Sequence, residues 1–260
     1  MSVLTADGRA TPRPAEPLSV LRKAARGAVR VVQPDQHIAL RGEGRDTIVG
    51  VVTGLLRCFR MTSDGRRHVA RFVRPGGLMG LGALVAFRSS VEAVTVSSIV
   101  EFRASAVEAA CVEDPATRQA IMQAMTAELV ARDRLQFRLG RLWADERVAD
   151  FLLELVEEKP EDGALSARLQ MSRADVADYL GVTIETVSRA LSRFQREGLI
   201  RLHDAHHFTI VRADALSALA MRDGEIAPDH RDDACLFDRA APASCHRAAV
   251  TRLGGSLRQG

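Results

Sequence analysis

The chain is 260 residues long, 47% hydrophobic and 27% charged, with 19 glycines and 9 prolines; this ordinary globular make-up excludes collagen-like and grossly disordered classes and suggests one large or two small domains. No apolar run approaches the roughly 20 residues needed to cross a bilayer, and Met1 to Pro17 lacks a positive-then-apolar leader pattern, so a cytoplasmic protein with no membrane role is expected, its four cysteines suiting a reducing compartment. A net charge of +3 is too small to announce a polyanion partner by itself, and 9 Phe, 1 Trp and 1 Tyr leave little for stacking platforms that hold single strands.

Residues 1–27 read as a flexible arm, small and polar at first, with Pro12, Pro14 and Pro17. Over residues 28–114 the texture changes to short runs rich in β-branched residues: Ala28–Val32, Ile48–Val52, Leu55–Phe59, His68–Val73 and Val94–Phe102. Turn signals such as Thr53-Gly54, Ser63-Asp64-Gly65 and Pro75-Gly76-Gly77 separate them, which predicts an antiparallel roll or sandwich. After Asp114-Pro115 the turn residues stop, and residues 115–143 predict one long helix. Along it a heptad-like seam, Ile121, Met125, Glu128, Arg132, Leu135, Leu139 and Leu142, suggests dimerisation, with two charged members that weaken and orient the pairing. The competing reading lays this helix on its own sheet. Residues 144–220 begin with a helix over Asp145–Glu157, followed by a loop at Pro160-Glu161-Asp162-Gly163. Residues 221–260 are poor in apolar periodicity and predict a disordered tail.

The strongest signal lies between Met171 and Leu202. Ser172 followed three residues later by Asp175 has capping-box spacing, and Val176, Ala177 and Leu180 give the helix an inward face. Gly181 falls where the chain must turn through a positive φ. Thr183 can cap the next helix, whose inward face is Val187, Leu191 and Phe194. Two short helices in this arrangement form a helix-turn-helix. On the outward face of the second stand Glu185, Ser188, Arg189 and Ser192. An arginine fork matches guanine O6 and N7, and a glutamate accepts from cytosine N4, so this face suits major-groove readout. Arg201-Leu202 and Phe208-Thr209-Ile210-Val211, either side of three histidines, read as a small β-wing.

At these residues the sequence resembles the cAMP receptor protein/FNR family of bacterial transcription regulators, and within it the FNR and FixK branch. The resemblance covers about Val29 to Leu219 and is most specific between Met171 and Leu199. It implies an α+β protein: an N-terminal antiparallel β-roll of the cyclic-nucleotide-binding jelly-roll type, a long dimerisation helix and a C-terminal winged helix-turn-helix. It also implies a homodimer that binds a TTGAT-type palindrome in double-stranded promoter DNA and works with RNA polymerase. Glu185, Ser188 and Arg189 fit the branch's Glu-x-x-Ser-Arg base-reading pattern, and the family's phosphate contacts fall on Arg173, Thr183 and Thr186. The dimerisation residues would be Ile121, Met125, Leu135, Leu139 and Leu142.

No cofactor is expected. Cyclic-nucleotide-binding relatives place a carboxylate after the roll glycine, whereas Gly80 here precedes Leu81, and Arg88-Ser89 sits closer to Gly80 than the family spacing. The N-terminal cysteines that hold an iron-sulfur cluster in FNR have no counterpart, because residues 1–57 contain none. Cys58 and Cys111 read as buried small hydrophobes. His37 and His68 are too isolated to suggest haem, and His230, Cys235, Cys245 and His246 match no tight zinc spacing. Two alternatives stay open: a redox-, haem- or nucleotide-gated regulator of the same family, and a recombinase-type enzyme with an accessory helix-turn-helix.

Overall fold

Short β-branched runs broken by turns fold into two antiparallel sheets, and the turn-poor stretch after them into helices. The structure, a computed structural model, describes residues 17–42, 46–81, 89–158 and 165–221, all within one compact unit. In the roll, β1 (Gly27–Val32), β8 (Ser97–Arg103), β3 (Thr47–Thr53) and β6 (Leu78–Met79) form one sheet in that order. The other runs β2 (His37–Ala39), β7 (Ser90–Ala93), β4 (Leu56–Met61) and β5 (Arg67–Val73). Alternate residues of the two, among them Val32, Val51, Leu56, Val91 and Ile99, make a shared apolar core. The expected strand Val94–Phe102 begins only at Ser97, and Val94 to Val96 form no strand. Val94 donates its N–H to Leu55 O at 2.8 Å and Thr95 Oγ1 accepts from Leu55 N at 3.0 Å, making the corner where the chain leaves one sheet for the other.

The arm expected over residues 1–27 is corrected in its last third: α1 (Pro17–Ala24) is a helix. Eight residues are too few to hold a helix alone. Leu18 and Leu21 are nevertheless buried against Ile48, Leu78, Val100 and Phe102, and that tertiary burial stabilises it. Residues 1–16 lie outside the described residues, as does the expected tail beyond Met221. A second helix unforeseen in the sequence, α2 (Ala104–Glu113), buries Ala104, Val107 and Ala110.

The long helix, α3 (Pro115–Arg141), starts with proline at its first position. Asp114 caps it, accepting from Ala116 N at 3.1 Å and Thr117 N at 2.9 Å, and the Thr117 hydroxyl together with these two amides holds the Asp114 carboxyl below its usual range. The members of its expected seam have unequal surroundings inside the chain. Leu142 is 8% exposed, Leu135 packs on the helical core, and Ile121 packs beside α1. Glu128 pairs with Arg71 of the roll. The apolar residues that α3 leaves outside are Met122 at 64%, Met125, Leu129 at 64%, Val130 and Phe137. They lie opposite buried Thr117, Ala120 and Arg138, so the chain buries one side of the helix and exposes the other.

Beyond α3 come α4 (Ala144–Leu155), α5 (Arg173–Leu180), α6 (Ile184–Arg196) and α7 (Ala213–Ala220). A small antiparallel sheet accompanies them, in the order β11 (Ile200–Leu202), β12 (His207–Ile210), β10 (Leu165–Arg168) and β9 (Glu157–Glu158). The observed α+β architecture of roll, long helix and winged helix-turn-helix matches the expectation.

Candidate nucleic-acid interface

The helix-turn-helix forms by the local chemistry expected of it. Ser172 Oγ accepts from Asp175 N at 3.1 Å while Asp175 Oδ2 accepts from Ser172 N at 3.3 Å, closing the capping box at the start of α5. Gly181 ends that helix with φ 64°, its N–H on Ala177 O, and Val182 N bonds the same carbonyl at 3.1 Å. Thr183 Oγ1 then accepts from Thr186 N at 3.2 Å and caps α6. Val187, Leu191 and Phe194 are buried, as their spacing requires.

The opposite side of α6 presents the candidate readers. Glu185, Arg189 and Ser192 are exposed and Ser188 is half-buried. From α5, Arg173 NH1 donates to Ser188 Oγ at 3.3 Å, so the first residue of one helix reaches the second turn of the next. Thr183 is exposed beside them. Thr186 is 6% exposed, and its hydroxyl is engaged by Thr183 Oγ1 at 3.1 Å and Arg189 NH2 at 3.5 Å. Its side chain thus ties the cap of α6 to Arg189.

The wing turn is pinned by Asp204, which accepts from His206 N at 2.6 Å, His207 N at 2.8 Å and His207 Nδ1 at 2.6 Å. The His207 ring and the two amides hold the Asp204 carboxyl well below its usual range. Arg201 and Arg168 are exposed on the same small sheet.

Three arginines that fix this module escaped sequence reading. Arg147 donates to Leu139 O, Leu142 O and Leu180 O at 3.0, 2.9 and 3.0 Å, so one guanidinium caps the ends of both α3 and α5. Arg138 is fully buried, bonded to Asp150 at 2.6 Å and Glu154 at 2.7 Å, with the Phe151 and Tyr179 rings about its guanidinium. Arg193 pairs with Asp145 of α4. In an arginine-rich chain nothing in the spacing sets these three apart.

Inside the roll, Arg71 NH2 donates to Leu78 O at 2.8 Å and Cys58 lies against Met79. Burial pushes the Cys58 thiol up, against the pull of Arg71. Leu81 packs on the apolar cluster around Leu18. Arg88, His230, Cys235, Cys245 and His246 lie outside the described residues. Among the described residues no group of three or more His, Cys, Asp or Glu could hold a metal ion, and no helix is long and apolar enough to cross a membrane.

Comparison with known proteins agrees with this geometry. Residues 146–219 match the Crp-like helix-turn-helix domain, and residues 29–114 match the cyclic nucleotide-binding domain. The nitrogen fixation regulation protein FixK of Rhizobium meliloti is 36% identical over 191 residues, 74% of this chain and 86% of that protein. The chain belongs to the CRP/FNR family, in its FixK-like branch. Among solved structures, FixK2 from Bradyrhizobium japonicum is similar with a TM-score of 0.70 and 32% identity, covering 78% of this chain and 100% of that one. The fumarate and nitrate reduction regulatory protein of Salmonella typhimurium is 28% identical over 193 residues, 73% of this chain and 77% of its own. The chain is therefore a FixK/FNR-type transcription regulator with a helix-turn-helix DNA-binding domain, and the recombinase alternative falls.

Proposed function

We propose that this CRP/FNR-family regulator acts in the cytoplasm as a homodimer on a TTGAT-type promoter palindrome, where it engages RNA polymerase, with no cofactor of its own. Residues 28–114 serve as a sensor-like roll, 115–143 as the dimerisation helix and 144–220 as the reading head. The observation that carries this is the outward face of α6, where Glu185, Ser188 and Arg189 stand together beside Arg173 and Thr183. Glu185 and Arg189 supply an acceptor and a fork for a C·G pair, Ser188 reads a neighbouring base, and Arg173 and Thr183 take phosphates.

The second copy is the natural occupant of the exposed α3 face. Met122, Met125, Leu129 and Phe137 recur at near-heptad spacing on a 27-residue helix, and an apolar stripe of that length left in water marks an interface. Met125 is retained from the expected seam, while Ile121, Leu135, Leu139 and Leu142 yield to this register. Titration of labelled palindromes tests the reading. Arg189→Ala is expected to cost about 1 to 3 kcal/mol and to erase discrimination at one guanine. Equal weakening on target and scrambled duplexes would remove Arg189 from base readout.

A further inference from the structure

We propose that Arg57 and Arg67 of the roll, both gripping Asp175 of α5, set the separation of the two reading heads and so determine which half-site spacing the dimer accepts. This rests on the homodimer reading above. Asp175 is 2% exposed, at the third position of α5. Its Oδ1 accepts from Arg57 NH1 at 3.2 Å and Arg67 NH2 at 2.7 Å, and its Oδ2 accepts from Ser172 Oγ at 2.8 Å. Arg57 is itself held, donating Nε and NH2 to Glu92 Oε2 at 3.0 and 2.7 Å and NH2 to Asp35 at 2.8 Å. Arg67 also donates Nε to Asp178 at 2.7 Å, one turn further along α5.

Apolar contact alone lets a helix slide, whereas one guanidinium nitrogen from each of Arg57 and Arg67 on Asp175, with the other arm of the Arg67 fork on Asp178, fixes its angle. The grip touches α5 on Asp175 and Asp178 and leaves Glu185 and Arg189 of α6 exposed, so it orients the reading face without covering it. The same β5 strand is tied to α3 through Arg71 and Glu128. With the partner seated along α3, the strand fixes α5 relative to the dimer axis. Half-sites must lie about one helical turn of DNA apart for both heads to dock, so this angle is a spacing gauge.

The test uses full-length wild type, Arg67→Ala and Asp175→Asn, each titrated onto TTGAT-type palindromes with the preferred spacer and with one base pair added or removed, at two salt concentrations. Wild type is expected to lose affinity on the order of tenfold when the spacer changes. The variants are expected to discriminate less than about threefold, with an unchanged salt slope because neither residue neutralises a phosphate. Thermal melts show whether each variant folds; if one does not, Arg67→Lys keeps the charge, loses the fork, and is expected to give intermediate discrimination. Wild-type discrimination in the folded variants overturns the proposal. A wild type indifferent to spacing, or binding a single half-site equally well, overturns the dimer reading instead.

Discussion

Gly181 shows how much one residue of the site depends on backbone alone. A Cβ there would meet Arg147 NH1 and Leu139 Cδ2 at 3.7 Å, ordinary contact, so Gly181→Ala introduces no clash. The cost is the left-handed φ of 64°, about 1 to 2 kcal/mol, and is expected as a lower urea midpoint with unchanged slope. A loss well above that range would mean α5 and α6 also move. Such residues are legible because their physics is local: Ser172, Gly181 and Thr183 each act within four positions of themselves. Asp175 is legible only as a cap. Its partners Arg57 and Arg67 lie 118 and 108 positions away, and no spacing rule couples them.

Among the elements, α3 illustrates where periodicity is ambiguous. A 27-residue helix with apolar residues on several faces fits more than one heptad template, and only burial separates the face used inside the protomer from the one left outside. Leu129→Glu is accordingly expected to shift the sedimentation profile toward monomer while leaving the helical circular dichroism unchanged. Leu135→Glu is expected to damage the fold itself, since Leu135 packs on the helical core. The converse result would restore the original seam. The junction of α3 and α4 carries a pH signature. Burial disfavours the Asp150 charge, but Arg134 and Arg138 outweigh it and hold the carboxyl below its ordinary value. A depressed folded pKa stabilises above the unfolded value and is lost as pH falls through the folded one. The melting-temperature gap between wild type and Asp150→Asn should therefore be full near neutrality and narrow below about pH 4. A gap constant with pH would mean that Asp150 acts by packing alone.

At the scale of the whole molecule, sequence texture divides roll from winged helix, yet the packing joins them. Leu55, Phe59 and Val69 of the roll belong to the same buried cluster as Val148, Phe151, Leu180, Leu191 and Phe208. Phe72 of β5 meets Tyr179 of α5 at 5.3 Å between ring centres, and Phe151 meets the same ring at 5.6 Å. A composition change along the chain marks where strands give way to helices, and carries no information about which strand faces which helix. The consequence is thermodynamic: two modules sharing one apolar core expose each other's surface on separating, so neither is expected to unfold first. Calorimetry of the full chain should show one transition, moving up with protein concentration if dimerisation is linked to folding. Phe59→Ala, formally a roll substitution, removes a largely buried ring from the joint core and is expected to cost about 3 to 5 kcal/mol. It should lower that single transition as a unit, read both by far-UV dichroism and by fluorescence of Trp143, the only tryptophan, at the start of α4. Two resolved transitions, with only the roll's responding to Phe59→Ala, would show that the shared cluster does not couple the modules.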